Sequence, residues 1–252
     1  MDRSNVIDLD GVRRRCGQLT ARQLCLPAGI DPLEREHVDA IVRRRRALPA
    51  GARLYHEGDP LAHVYVAHRG AFKTVALAEN GDEAILAFHL PGELIGLDAL
   101  GADAHRGSAV ALEDAEVCEL RFDELLTAAA RLPRLQQQLL RVIGQGVERD
   151  HRHVGMLLRR QAHERVAAFL HDLGERHRRL GLETRELRLP MSREDIAGFL
   201  GLALETVSRS LTRLQEDGIV AVRGRRLEVL APARLAALAA GAEAAAGARA
   251  GR

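Results

Sequence analysis

The chain is poor in several features that usually announce a function. Only 3 of its 252 residues are cysteine, too few for a disulfide framework. No stretch approaches the roughly 18 consecutive apolar residues of a membrane-crossing helix. The opening segment MDRSNVIDLDGVRRRC lacks the apolar core of a secretory leader. Together these traits predict a cytoplasmic protein with reduced thiols and no membrane partner. P-loop, GxSxG, HExxH and CxxC signatures are missing too, and the 11 histidines are scattered. Their one dense group, His151-Arg152-His153, reads as a polar helix face. No convergent acid, base and nucleophile can be assembled, so the residues do not describe an enzyme.

A chain of this length with 46% hydrophobic residues can bury one large core or two smaller ones. Its formal charge of +2 is unevenly distributed: residues 1–158 carry a net −3, with 20 Lys+Arg against 23 Asp+Glu, and residues 159–252 a net +5, with 17 against 12. A basic C-terminal part suits a face turned to nucleic acid, and it equally suits a solvated surface. The run Arg43–Arg46 reads as a solvated helix end rather than a nucleic-acid patch.

The organisation expected is α+β. A sensory β-module is expected over residues 31–133; within it, from about Gly51 to Phe122, short alternating strands separated by Gly, Pro, Asn-Gly and Asp signals indicate a small β-barrel or jelly roll. Asn80-Gly81 between two such runs is a hairpin signal, because both residues tolerate positive φ. Residues 134–160 read as one long helix. Along it Leu139, Ile143, Val147, Asp150, Val154 and Leu157 follow one another at four- and three-residue steps, a heptad-type seam with a carboxylate in its middle. Two such helices face to face would oppose ionised burial of Asp150, which makes a parallel pair marginal; a helix packed within its own chain would instead carry Asp150 at its edge.

Residues 161–235 read as a compact helical unit ending in a hairpin. HERVAAFLHDLGERH places Val166, Phe169, Leu170 and Leu173 on one face. Ser192 and Asp195 then form an N-cap pair resembling a capping box, Gly201 supplies a turn, and Val207, Leu211 and Leu214 give the next helix its apolar face. IVAVRGRRLEVL reads as two strands around Gly224-Arg225, a wing after a helix-turn-helix. If the second helix of the pair enters a major groove of double-stranded DNA, Glu205, Thr206, Ser208 and Arg209, with Arg213 one turn on, are offered to base edges. Arg clamps guanine O6 and N7, Glu accepts from the amino group of cytosine, and the i, i+3, i+4 spacing gathers Glu205, Ser208 and Arg209 on one face. The Ala/Gly-rich residues 236–252 read as a fraying tail.

This order of modules resembles the Crp/Fnr superfamily, and ETVSR with GDE, FHLPGELIGLDALG and VCEL looks most like its oxygen-sensing fumarate-nitrate reduction branch. The resemblance implies a β-roll of the cyclic-nucleotide-binding type, a dimerisation helix, a winged helix-turn-helix, and a homodimer on palindromic TTGAT-type half-sites that controls anaerobic genes. It maps the family's base-reading Glu, Ser and Arg onto Glu205, Ser208 and Arg209, implicates the position of Asp150 in restraining dimerisation, and implies contact with RNA polymerase near Asn80-Gly81. It also speaks against cyclic nucleotide: Leu97 follows Gly96 where binders carry Glu, and Gly107 separates Arg106 from Ser108.

The same branch holds a [4Fe-4S] cluster through four cysteines, for which residues 1–30 would be the sensor segment. Cys16, Cys25 and Cys118 match three of them, and Leu19 stands at the fourth. Three arrangements follow: a cluster with three thiolates and a carboxylate such as Asp8 or Asp10, an imidazole or an exogenous ligand; a cluster-less regulator responding through thiol redox, nitric oxide or haem, or constitutive; or another metal such as zinc. Cluster binding near the start of the long helix would favour its pairing against the Asp150 repulsion. Leu24 and Leu26, flanking Cys25, would shield it.

Overall fold

The computed structural model describes residues 42–77, 81, 83–179 and 184–241. Cys16, Leu19, Cys25, Asn80 and residues 242–252 lie outside the described residues.

Two four-stranded antiparallel sheets form the first module. One has the order β1 (Val42–Leu48), β8 (Ala115–Arg121), β3 (His63–Arg69), β6 (Leu94–Ile95), and the other β2 (Arg53–Tyr55), β7 (Ser108–Ala111), β4 (Phe72–Leu77), β5 (Glu83–His89). Alternation along the strands sets what each face meets. In β8, Val117 points between the sheets with Tyr65, Phe72 and Ile95, whereas Cys118 and Leu120 point outward onto helices. In β4, Phe72 is inside and Lys73 and Val75 face the C-terminal part of the chain. Gly70 turns between β3 and β4 at φ +74°, and a Cβ there would meet that of Ala115 at 2.8 Å, so only glycine fits.

The arginine run differs from its expected helix end. Arg43–Arg46 lies in β1, an edge strand whose Arg45 sits opposite Cys118 of β8, with Arg45 Nε 3.9 Å from Glu116 Oε1. Four like residues have no hydrophobic period, and charged side chains suit an edge strand because they discourage further strand pairing.

Helices α1 (Phe122–Arg131) and α2 (Pro133–Leu157) follow β8 and cover the outer face of the first sheet. Leu135, Leu139 and Val142 of α2 are buried there with Leu120, Leu125 and Cys118. The chain turns at residues 158–161 and continues as α3 (Ala162–Arg179), which buries Val166, Phe169, Leu170 and Leu173 as the apolar spacing requires.

The C-terminal unit is a helix-turn-helix of α4 (Arg193–Leu200) and α5 (Leu204–Glu216) with a three-stranded sheet of order β10 (Val220–Arg223), β11 (Arg226–Val229), β9 (Glu186–Arg188). Residues 236–239 depart from the fraying tail expected of them. They belong to α6 (Pro232–Ala239), whose Leu235, Leu238 and Ala239 are buried. Pro232 starts this helix, and leucines three residues apart give it a face that Ala-rich composition disguised.

Candidate nucleic-acid interface

The reading head is built from local devices. Ser192 Oγ accepts the Asp195 N–H at 3.0 Å and the Asp195 carboxylate accepts the Ser192 N–H at 2.8 Å, a reciprocal capping box at the start of α4. Gly201 ends α4 at φ +60°, a left-handed position that a side chain adopts only under strain, and lets α5 cross α4 after three residues. Val207, Ser210, Leu211 and Leu214 turn inward. The helix therefore presents Glu205, Arg209 and Arg213 as exposed side chains and Thr206 and Ser208 as half-buried ones.

Arg193 Nη1 donates to Ser208 Oγ at 3.4 Å, so the first helix braces the hydroxyl of the second. Arg213 Nε lies 3.9 Å from Asp217 Oδ2, one turn below. At the wing tip Arg223, Arg225 and Arg226 are all exposed around Gly224. Exposed anionic and cationic groups on α5 with a cationic wing beside them have the chemistry that base edges and flanking phosphates would require. Arg193, Arg223 and Arg226 were not named from the sequence, and Arg225 only as part of the wing turn; adjacency to the capping box and to the wing glycine is the signal that points to them.

The unit does not hang free. Lys73 Nζ of β4 lies 2.7 Å from Asp195 Oδ1, joining the first module to the residue that caps α4. Burial pushes the Asp195 carboxyl up, but the Lys73 ammonium and the Ser192 donors outweigh it and hold the group below the ordinary carboxylate range. Phe199 of α4 packs 4.9 Å from the Phe88 ring and 5.9 Å from that of Phe169. His153 corrects the sequence reading of a polar face: its ring stacks on Phe199 at 3.7 Å and 8°, and its Nε2 lies 2.7 Å from the Phe199 carbonyl.

Helix α2 carries two rows at the same repeat. Leu139, expected in the pairing seam, is buried within its own chain, and Leu140 is 63% exposed in its place. The outward row runs Leu140, Ile143, Val147, Asp150, Val154 and Leu157; Val147 and Val154 are 49% and 53% exposed, and exposed Asp150 lies between them. A row of exposed valines and leucines on one helix is a surface awaiting apolar cover.

At the Gly96 position the local geometry is self-filled. Tyr55 stacks on His105 at 3.6 Å, and Asp98 accepts from the Tyr55 hydroxyl at 3.2 Å and from the Arg106 N–H at 2.9 Å. Ser108 Oγ is buried and accepts the Glu57 N–H at 3.0 Å, while Gly107 approaches the Val75 carbonyl so closely that a Cβ would stand 2.6 Å from it. The Arg106-Gly107-Ser108 segment is thus committed to the protein's own contacts.

Residues 45–131 match the cyclic nucleotide-binding domain model, and residues 164–238 match the Crp-like helix-turn-helix domain model. Over 226 residues the chain is 40% identical to the transcriptional activator protein Anr of Pseudomonas protegens, covering 90% of this chain and 93% of that protein. The chain belongs to the Crp/Fnr family. This Crp/Fnr regulator is also 37% identical over 233 residues to the fumarate and nitrate reduction regulatory protein of Vibrio cholerae, with 92% and 93% of the two chains covered. It superposes on the structure of FixK2 from Bradyrhizobium japonicum with a TM-score of 0.70 and 33% identity, over 77% of this chain and 96% of that one. It is a DNA-binding transcriptional regulator, and no helix among its described residues is long and apolar enough to cross a membrane.

Cys118 is the one expected cluster ligand among the described residues, and none of these residues form a group of three or more metal-ligating side chains. It is 3% exposed, in an apolar cluster with Leu135 and Leu139 of α2. A soft sulfur donor in water-poor, apolar surroundings at the base of the long helix fits an iron–sulfur ligand.

Proposed function

We propose that this Crp/Fnr regulator works as a homodimer that responds to oxygen or redox state through a [4Fe-4S] cluster and binds palindromic TTGAT-type sites to control anaerobic genes. The observation that carries this reading is the placement of Cys118 against the first turns of the helix whose outward row contains Asp150. The names of the relatives, one a fumarate and nitrate reduction regulatory protein, support the same class.

Cys16, Cys25 and Cys118 would hold the cluster, with its remaining iron taking a carboxylate, imidazole or exogenous ligand because Leu19 has no donor. When bound, the group supplies an oxygen-labile tie between the N-terminal segment and β8. The chain's own residues do the rest. The outward row of α2 pairs, Asp150 keeps that pairing marginal, and the paired form presents two α5 helices to two half-sites. There Arg209 reads a guanine, Glu205 a cytosine amino group, and Ser208, Thr206 and Arg213 support them. Cyclic nucleotide plays no part, in keeping with Leu97 after Gly96 and with the commitment of Ser108 to Glu57. The β4–β5 hairpin around Asn80-Gly81, where Leu77 is 64% exposed, is the surface proposed for RNA polymerase.

Anaerobic iron and acid-labile sulfide analysis tests the reading directly. Wild type should contain both in equal amounts, and Cys16→Ser, Cys25→Ser and Cys118→Ser should each lose them. Protein that carries zinc alone, or no metal, and binds its promoter equally in air and without it would establish the cluster-less reading that Leu19 favours.

A further inference from the structure

Beside the exposed row of α2, about 100° round the helix, runs a second row at the same repeat, and it changes character half-way. Leu135, Leu139 and Val142 are apolar and buried in the first module. Two turns on, the row continues with Arg149, His153 and Met156, which reach the DNA-reading half of the chain. Arg149 immediately precedes Asp150.

Around Arg149 the charges alternate across three elements. Arg149 Nη1 lies 3.1 Å from Glu93 Oε1, and Arg176 of α3 holds Glu93 Oε2 at 2.6 Å and Oε1 at 3.1 Å. Arg176 also donates to the Phe88 carbonyl at 2.7 Å, and Glu93 accepts the Leu90 N–H at 2.9 Å. Beyond Arg176, Asp172 of α3 pairs with Arg152 of α2 at 2.7 Å, and Arg152 pairs with Glu148 at 2.7 Å. Glu93 and Arg176 are both buried, whereas Glu148 is 54% exposed. Buried and hydrogen-bonded on every side, Glu93 is a charge that tolerates loss of a partner poorly, so its two arginines are held in register with each other.

We propose that Glu93, clamped between Arg149 of α2 and Arg176 of α3, is the positioning residue that ties the orientation of the DNA-reading domain to the pairing state of α2. A rotation of α2 by ~20°, on a side-chain radius of ~5 Å, displaces the Arg149 head by ~2 Å, enough to break its contact with Glu93. Because Asp150 is the next residue on the same rigid helix, whatever reorients the pairing row moves Arg149 with it. Glu93 then holds Arg176 alone, and α3 carries the capped helix α4 and the reading helix α5 behind it.

The inference rests on the proposed pairing of α2, and its test separates the two. Glu93→Gln, Arg149→Gln and, as a control at the exposed end of the network, Glu148→Gln are compared with wild type. In the aerobic protein, spin labels on encoded non-natural residues at Leu77 and Glu216 report the distance distribution between the first module and the reading domain without requiring a dimer. Glu93→Gln and Arg149→Gln should broaden it, and Glu148→Gln should not. In an Asp150→Ala background the preference for a palindromic site over a single half-site should fall about tenfold in the first two variants, within the usual range of coupling between sites. An unchanged distance distribution in folded variants overturns the proposal, whatever the oligomeric state. A uniform loss on both DNAs also overturns it, since that marks a merely structural role. If Glu93→Gln does not fold, Arg149→Gln, whose side chain is 21% exposed, carries the test.

Discussion

Replacing Asp150 with alanine removes a charge from the middle of an otherwise apolar exposed row. Two α2 helices paired along that row would lie about 8–10 Å apart, bringing the two carboxylates to roughly 7 Å. Their repulsion is then between about 0.6 and 2.4 kcal/mol, for effective dielectric constants from bulk water to a protein surface. Partial desolvation of each carboxylate between Val147 and Val154 adds to this. Asp150→Ala should therefore strengthen dimerisation by about 1–3 kcal/mol, or roughly 5- to 150-fold in the dimer dissociation constant. Sedimentation velocity in air over a concentration series measures it. Asp150→Asn keeps the size and polarity of the side chain while removing its charge, so it should recover most of the gain. Raising salt from 0.1 to 1 M shortens the screening length from about 10 to about 3 Å and should narrow the gap between wild type and variant. A dissociation constant unchanged within twofold, or a gain in Ala with none in Asn, would refute repulsion as the restraint.

Three further outcomes follow from the geometry. Arg209→Ala should weaken binding by about 1–3 kcal/mol and relax preference at one guanine in a competition assay, whereas equal weakening on every sequence would make Arg209 a phosphate contact. Ser192→Ala removes the hydroxyl that accepts the Asp195 N–H, so it should cost about 1 kcal/mol and lower the melting temperature by several degrees; no shift would show that Lys73 and the Ser192 backbone N–H hold Asp195 without the hydroxyl. His89, buried beside Thr74, is held neutral down to about 4, chiefly by burial and then by Arg149. The unfolded chain takes up that proton below about 6.5 while the folded one does not, so stability falls as pH drops from about 6.5 to 4, by up to ~1.4 kcal/mol per pH unit. His89→Gln should flatten that slope in acid titrations followed by circular dichroism, and an unchanged slope would assign it to other groups.

How much the sequence disclosed depended on whether a signal was local. The reading head was legible because its devices are short-range: Ser192 caps α4 within one turn, Gly201 makes the bend, and Val207, Leu211 and Leu214 recur at helical spacing. The β-module was legible from alternation and turns, since period two is written into the strands themselves. The arginines of β1 were not, because four identical residues carry no period and their strand exists only through β8. The tail residues 236–239 were hidden by composition, which obscured a helix with two buried leucines.

The long helix marks the boundary most sharply. Its sequence determined that apolar residues recur every seven positions and that Asp150 interrupts one such row. It did not show how the helix is covered: Leu140, seven residues before Val147, keeps the repeat of the outward row, whereas Leu139, with Gly146 and His153 seven and fourteen residues on, leaves that row and is buried by packing on the first sheet. Nor could it show that His153 stacks on Phe199, or that Glu93, Arg149 and Arg176, the outer two 83 residues apart, meet in one buried cluster. Helix caps, turns and periods are short-range properties of a chain and can be read along it. The faces that pair, and the charges that share a buried site, depend on which surfaces remain after the core has closed, and that is decided only in three dimensions.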